Sequence, residues 1–112
     1  MRKITTESVK AFTEQVSYTK DNTKVRIEND WALTISRMYL YDNLIATYTV
    51  NAWTKSDLHI TSAGWETVTT KERLNWILDA FNLWSIYQKK WVWYYTNNEW
   101  VGEFNWGKTF II

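Results

Sequence analysis

The chain has 112 residues, with 13 basic and 12 acidic side chains for a net charge of +1, and it carries no cysteine and no proline. That balance excludes the electrostatic footprint of a strong DNA-phosphate binder, and equally an acidic DNA mimic. Zero Cys excludes disulfides, thiolate nucleophiles and Cys-ligated metals, and suits a reducing cytosol. Nine Trp stand against three Gly, where average usage would supply about 8 Gly, so several Trp occupy positions that read as turns or solvent faces. The length fits one domain, residues 1–112. No apolar h-region follows the first residues, and no apolar run reaches transmembrane length.

The first element is a short amphipathic helix over 6–15, with Val9, Phe12 and Val16 at i, i+3 and i+7 and Thr5 or Thr6 as cap. Residues 17–22 read as a loop. Residues 23–27 alternate as a strand with Val25 and Ile27 inward, ended by Asn29-Asp30. Over 32–41 a strand changes phase: Leu33 and Ile35 share one face, and Met38 and Leu40 the other. Ser36-Arg37 then marks a bulge, or the strand is buried on both sides. Asp42 and Asn43 both tolerate positive φ and predict a tight hairpin into a strand over 44–50. A loop over 51–57 leads to a short strand, 58–61, and Gly64 is expected to supply a positive-φ turn.

The strongest local signal is the capping box Thr69-Thr70-Lys71-Glu72, followed by the stripe Leu74, Ile77, Leu78, Phe81; together they predict a helix over 70–82. A hairpin of 84–88 and 91–96 through Lys89-Lys90, a turn at Asn97-Asn98 and a third strand over 99–105 complete the reading. The apolar tail Phe110-Ile111-Ile112 is expected to pack. The fold class that follows is a small single α+β domain, a mostly antiparallel sheet with two helices on one face, in the order αββββαββ with a possible further strand.

From Ile60 onward the chain resembles a set of small bacteriophage-encoded proteins of uncharacterised function. The resemblance is carried by Thr61-Ser62-Ala63-Gly64-Trp65, Thr69-Thr70-Lys71-Glu72-Arg73-Leu74-Asn75, Ser85 to Lys90, Trp93-Tyr94 and Asn98-Glu99-Trp100. It implies a phage gene acting in the bacterial cytoplasm, and it transfers no catalytic residue. Such proteins look as if they prefer Gly near the positions of Trp76, Trp84 and Trp91. Trp31 after Asn29-Asp30, and Trp53 after Asn51-Ala52, stand in similar turn contexts.

The candidate partner-binding residues follow from position. At 100° per residue, Trp76 lies about 150° from the centre of the apolar helix stripe. Trp91, Trp93 and Tyr95 share one strand parity beside Lys89 and Lys90, an aromatic and cationic platform of the kind that stacks single-stranded nucleic acid. Arg73 on the capped helix offers a phosphate or carboxylate contact. Each has a plainer reading: a covered Trp76, a strand buried on one side, and ordinary solubilising charge at Arg73. His59 stands alone, and Glu99 and Glu103 read as solvated. No phosphate loop, nucleophile elbow or HExxH occurs, so no catalytic, cofactor or metal residue is named. The expectation is a non-enzymatic protein that binds a host or phage protein, or itself as a homo-oligomer, through a Trp-rich surface. Single-stranded nucleic acid is the weaker alternative, and no membrane role is expected.

Overall fold

The computed structural model describes residues 3–53, 55–62, 67–81, 83, 85–89, 92–96, 101–103 and 107–111. Two helices, α1 (Lys3–Glu14) and α2 (Val68–Ala80), accompany nine strands: β1 (Tyr18–Lys20), β2 (Thr23–Asp30), β3 (Leu33–Leu40), β4 (Asn43–Asn51), β5 (Asp57–Thr61), β6 (Ser85–Lys89), β7 (Val92–Thr96), β8 (Val101–Glu103) and β9 (Gly107–Ile111). Among the described residues every pairing is antiparallel. Six strands form one sheet in the order β1-β2-β3-β4-β5-β9, and β6-β7-β8 form a second. The α+β reading and its element order hold, with two additions. Part of the expected loop at 17–22 is strand β1, and the apolar tail enters the large sheet as β9, with Phe110 opposite Leu58.

One core unites the helices with the inner face of the large sheet. Phe12 of α1 and Leu74, Ile77 and Leu78 of α2 pack with Val25, Met38, Ala46, Leu58 and Ile60 from four successive strands, and Trp93 and Ile86 bring the small sheet into the same cluster. Asn75 fastens that sheet to α2: its amide donates to the Ile86 carbonyl at 2.9 Å, and its oxygen accepts the Ile86 N–H at 2.6 Å.

Local details depart from expectation for identifiable reasons. Helix α1 stops at Glu14 because Gln15 takes φ 57°. The Val16 N–H then reaches the Ala11 carbonyl and the Gln15 N–H the Phe12 carbonyl, a Schellman closure that leaves Val16 exposed instead of on the buried stripe. The cap of α2 is Thr67, whose hydroxyl accepts the Thr70 N–H, so the Thr69–Glu72 box does not form. Strand β3 keeps a single phase: Ser36, Met38 and Leu40 face inward while Leu33, Ile35 and Tyr39 are half-buried on the outer side. The irregularity lies on the partner strand, where Met38 pairs with Ala46 and Tyr39 with Leu44, leaving Ile45 as the extra residue. The hairpin turn is Tyr41-Asp42, both at positive φ, and Asn43 already belongs to β4. Gly64 and Asn97-Asn98 lie outside the described residues.

Candidate functional site

Among the described residues the most exposed large apolar side chains form a pair. Trp31 occupies the β2–β3 turn and Trp53 the connection after β4, and they are 90% and 74% exposed. Antiparallel pairing makes them neighbours, because alternate hairpin connections emerge at the same end of a sheet. Asp30, Leu33 and Asn51 form one cross-strand row there, and the Ala52 N–H bonds the Ala32 carbonyl at 2.9 Å. Each Trp backbone N–H is held by an upstream side chain: Trp31 by Asp30 Oδ1 at 2.8 Å and Trp53 by Asn51 Oδ1 at 2.9 Å. The ring centroids are 6.3 Å apart and inclined by 38°. An Asx turn at Asn51 and a side-chain bond from Asp30 to the next N–H thus hold the two connections that present tilted indoles to solvent.

The residues singled out from the sequence fall in different places. Trp76 is 38% exposed on α2 and lines a shallow cleft of about 360 Å³ with Asn75, Asp79 and Ser85. Trp93 is 1% exposed, so it belongs to the core and not to a surface platform. On β6 and β7 the aromatics of the other parity are exposed Tyr87 and half-buried Tyr94, which pair across the strands and whose rings stack at 5.4 Å and 21°. Tyr95 and Lys89 are described as strand backbone only, and Lys90 and Trp91 lie outside the described residues.

Arg73 is a correction of a different kind. It is 1% exposed, and its guanidinium ties three elements together. Nε donates to Thr5 Oγ1 on α1 at 2.8 Å, and Nη1 donates to Thr23 Oγ1 on β2 at 2.5 Å. The Thr5 hydroxyl in turn donates to Glu72 Oε1 at 2.6 Å. The physical reason is periodicity: Thr70, Arg73, Leu74, Ile77 and Leu78 all lie on the buried arc of α2, so Arg73 holds a core position despite its charge. Nearby, the Tyr18 hydroxyl donates to Glu7. Burial, then the Glu7 carboxylate, raises the Tyr18 phenol above its ordinary value.

His59 sits on the outer sheet face, its Nδ1 2.8 Å from Thr109 Oγ1. Glu99 lies outside the described residues, and Glu103 is described only as strand. Among the described residues no group of three His, Asp or Glu side chains is placed to hold a metal ion. A cleft of about 450 Å³ opens between the Tyr41 hairpin and the start of α2, lined by Leu40, Ile45, Thr67, Thr69 and Thr70 among others. No helix of the described residues is long and apolar enough to cross a membrane.

Trp31 and Trp53 were legible only in part. An Asx residue just before or two before a Trp in a turn context signals exposure, but their juxtaposition needs the sheet register.

The fold and its surface define a small α+β domain with an open sheet end that displays paired indoles. The chain belongs to the Kyanoviridae Gp96 protein family, whose model matches residues 1–111. This places it among bacteriophage proteins; the family description names no activity, and no site residue is transferred with it. No curated protein and no solved structure gives a significant match.

Proposed function

We propose that this phage protein is a non-enzymatic binding module that engages a host or phage protein in the bacterial cytoplasm through the Trp31–Trp53 end of the large sheet. The observation that carries the reading is the pair itself: two indoles 90% and 74% exposed, their turns fixed by backbone hydrogen bonds before any partner arrives. Trp is enriched at the energetic centres of protein interfaces, and a pre-organised anchor loses little entropy on binding. The test is capture of partners from infected-cell lysate on the immobilised wild-type protein and on a Trp31→Ala/Trp53→Ala variant of unchanged circular dichroism. A partner recovered by the former and lost by the latter is expected. An identical set from both overturns the reading.

A second reading is favoured by the Tyr87–Tyr94 stack: single-stranded nucleic acid lying on β6 and β7. It requires quenching by short oligonucleotides that weakens with salt and is reduced in Tyr87→Ala. A flat titration at low ionic strength eliminates it.

A further inference from the structure

The surroundings of the indole pair name the chemistry of its occupant, granted that the pair is a docking point at all. Carboxylates gather at this end of the molecule. Asp30 immediately precedes Trp31, Asp57 opens β5 opposite Thr49, and exposed Glu14 closes α1 one residue before Gln15, whose amide donates to the Thr34 carbonyl. Among the described residues none of these three has a cationic partner. Of the cations toward this end, Arg37 is bound to Glu28 and Lys55 has a partner of its own, while exposed Arg26 lies opposite Arg37 in the middle of β2, four residues before Asp30. Among the described residues the Asp30 carboxylate accepts only the Trp31 N–H, through Oδ1, and no cation is paired with it beside the indole.

Two other occupants are disfavoured by magnitude and sign. Side chains of about 250 Å² each, weighted by their exposure, leave roughly 400 Å² of aromatic surface, about half of what each partner contributes to a stable interface. A symmetric dimer therefore needs more than this patch. A nucleic-acid backbone would meet uncompensated carboxylates. A cation gains from both features at once, since the face of an indole attracts a guanidinium or ammonium through its quadrupole, and the acidic rim adds Coulomb attraction.

We infer that the Trp31–Trp53 pair receives an arginine or lysine side chain from a basic segment of a partner protein, with Asp30 and Asp57 supplying the charge complement. The inference rests on the function proposed above and is separable from it. The probes are capped hexapeptides that carry two arginines, two citrullines or two glutamates in an otherwise uncharged sequence, together with a short oligothymidylate. Each is titrated into the intact chain, with the indole N–H resonances of Trp31 and Trp53 as the readout. The arginine peptide is expected to bind at least about fivefold more tightly than its citrulline counterpart. Asp30→Asn/Asp57→Asn should weaken it roughly threefold at low salt, and Trp31→Ala/Trp53→Ala, followed by calorimetry because the reporter indoles are gone, should abolish binding. Equal binding of arginine and citrulline peptides overturns the inference. So does a preference for the glutamate peptide or the oligothymidylate, or a concentration-dependent self-association that moves the same resonances without ligand. If partner capture still depends on Trp31 and Trp53 while the peptides bind alike, the cation is wrong and the docking point stands. If capture ignores the two Trp, the docking point itself is wrong.

Discussion

The junction of α1, α2 and β2 and the open end of the large sheet sort their residues in opposite ways. At the first, an arginine, two threonines and a serine are fully enclosed: Arg73, Thr5, Thr23 and Ser8 are each at most 1% exposed. At the second, two tryptophans stand in water. Residue type alone would assign these places the other way round. The difference shows what overrides type. Arg73 goes inside because its position on α2 falls within the buried arc and because Thr5 and Thr23 accept its protons there; buried charge is tolerable when it is hydrogen-bonded. Trp31 and Trp53 stay outside because each sits in a tight connection whose backbone is already pinned by Asp30 or Asn51. A turn residue at the tip of a sheet has no layer to pack beneath.

The sharpest way to break this comparison is at the enclosed region. Arg73→Ala is expected to cost about 3–5 kcal/mol, because it leaves buried Thr5 and Thr23 without the donor that each accepts as well as opening a cavity. Arg73→Met fills the space without the charge and should recover part of that loss. Urea unfolding of both variants checks the pair, and equal small losses would mean that the guanidinium is not what joins α1, α2 and β2. The same substitution applied to three tryptophans tests the other half. Trp93→Ala should cost about 3–5 kcal/mol, whereas Trp31→Ala and Trp53→Ala should each stay within about 0.5 kcal/mol of wild type. A large loss at Trp31 would show that its ring is packed in solution.

These contrasts also mark how far the letters alone carry. The antiparallel α+β plan, the α2 stripe and the tight hairpin after β3 follow from periodicity and turn chemistry, because both act over a few residues. Parity in β7 did not: Val92, Trp93, Tyr94 and Tyr95 are aromatic or apolar at every position, so alternation carries no information, and only the tertiary core cluster shows that Trp93 is inside. The Thr69 box misplaced the α2 cap because Thr67, two residues earlier, also offers a hydroxyl at suitable spacing, and Glu72 instead accepts from Thr5, 67 positions away. Arg73 was hidden by its charge, although its spacing from Thr70, Leu74 and Ile77 is core spacing. The indole pair was visible one residue at a time. Its formation depends on which connections share an end of the sheet, a property of the whole strand order.

A smaller effect sharpens the rule that enclosed polarity needs partners. Ser36 is fully buried on the inner face of β3, between Ile27 and Tyr48 in register, and among the described residues its hydroxyl has no hydrogen-bond partner. Ser36→Ala removes an unsatisfied group of small volume, so stability should be unchanged or rise by up to about 1 kcal/mol. The same deletion at Thr23, by Thr23→Val, removes an acceptor of Arg73 and should cost about 1–3 kcal/mol. If both variants lost stability equally, partnership would not be what distinguishes these two hydroxyls.

The smallest effect concerns a charge pair left in solvent, the counterpart of Arg73 at the surface. Lys24 Nζ donates to Asp42 Oδ1 at 2.7 Å beside the β3–β4 turn. That hydrogen bond, then the ammonium charge, holds the Asp42 carboxyl below its ordinary value. Because the folded value is the lower one, the pair's contribution is complete above the unfolded carboxylate value of about 3.9 and is lost as pH falls through the lowered folded value. Asp42→Asn isolates the charge, since Asn also tolerates the left-handed backbone that Asp42 adopts at φ 64°. Wild type should therefore melt slightly above Asp42→Asn at pH 6 in low salt, and the gap should close both below about pH 4 and on adding roughly 1 M salt. A gap that persists in acid and in salt would trace the difference to the turn backbone, and would leave the exposed ion pair with no measurable part in holding the hairpin.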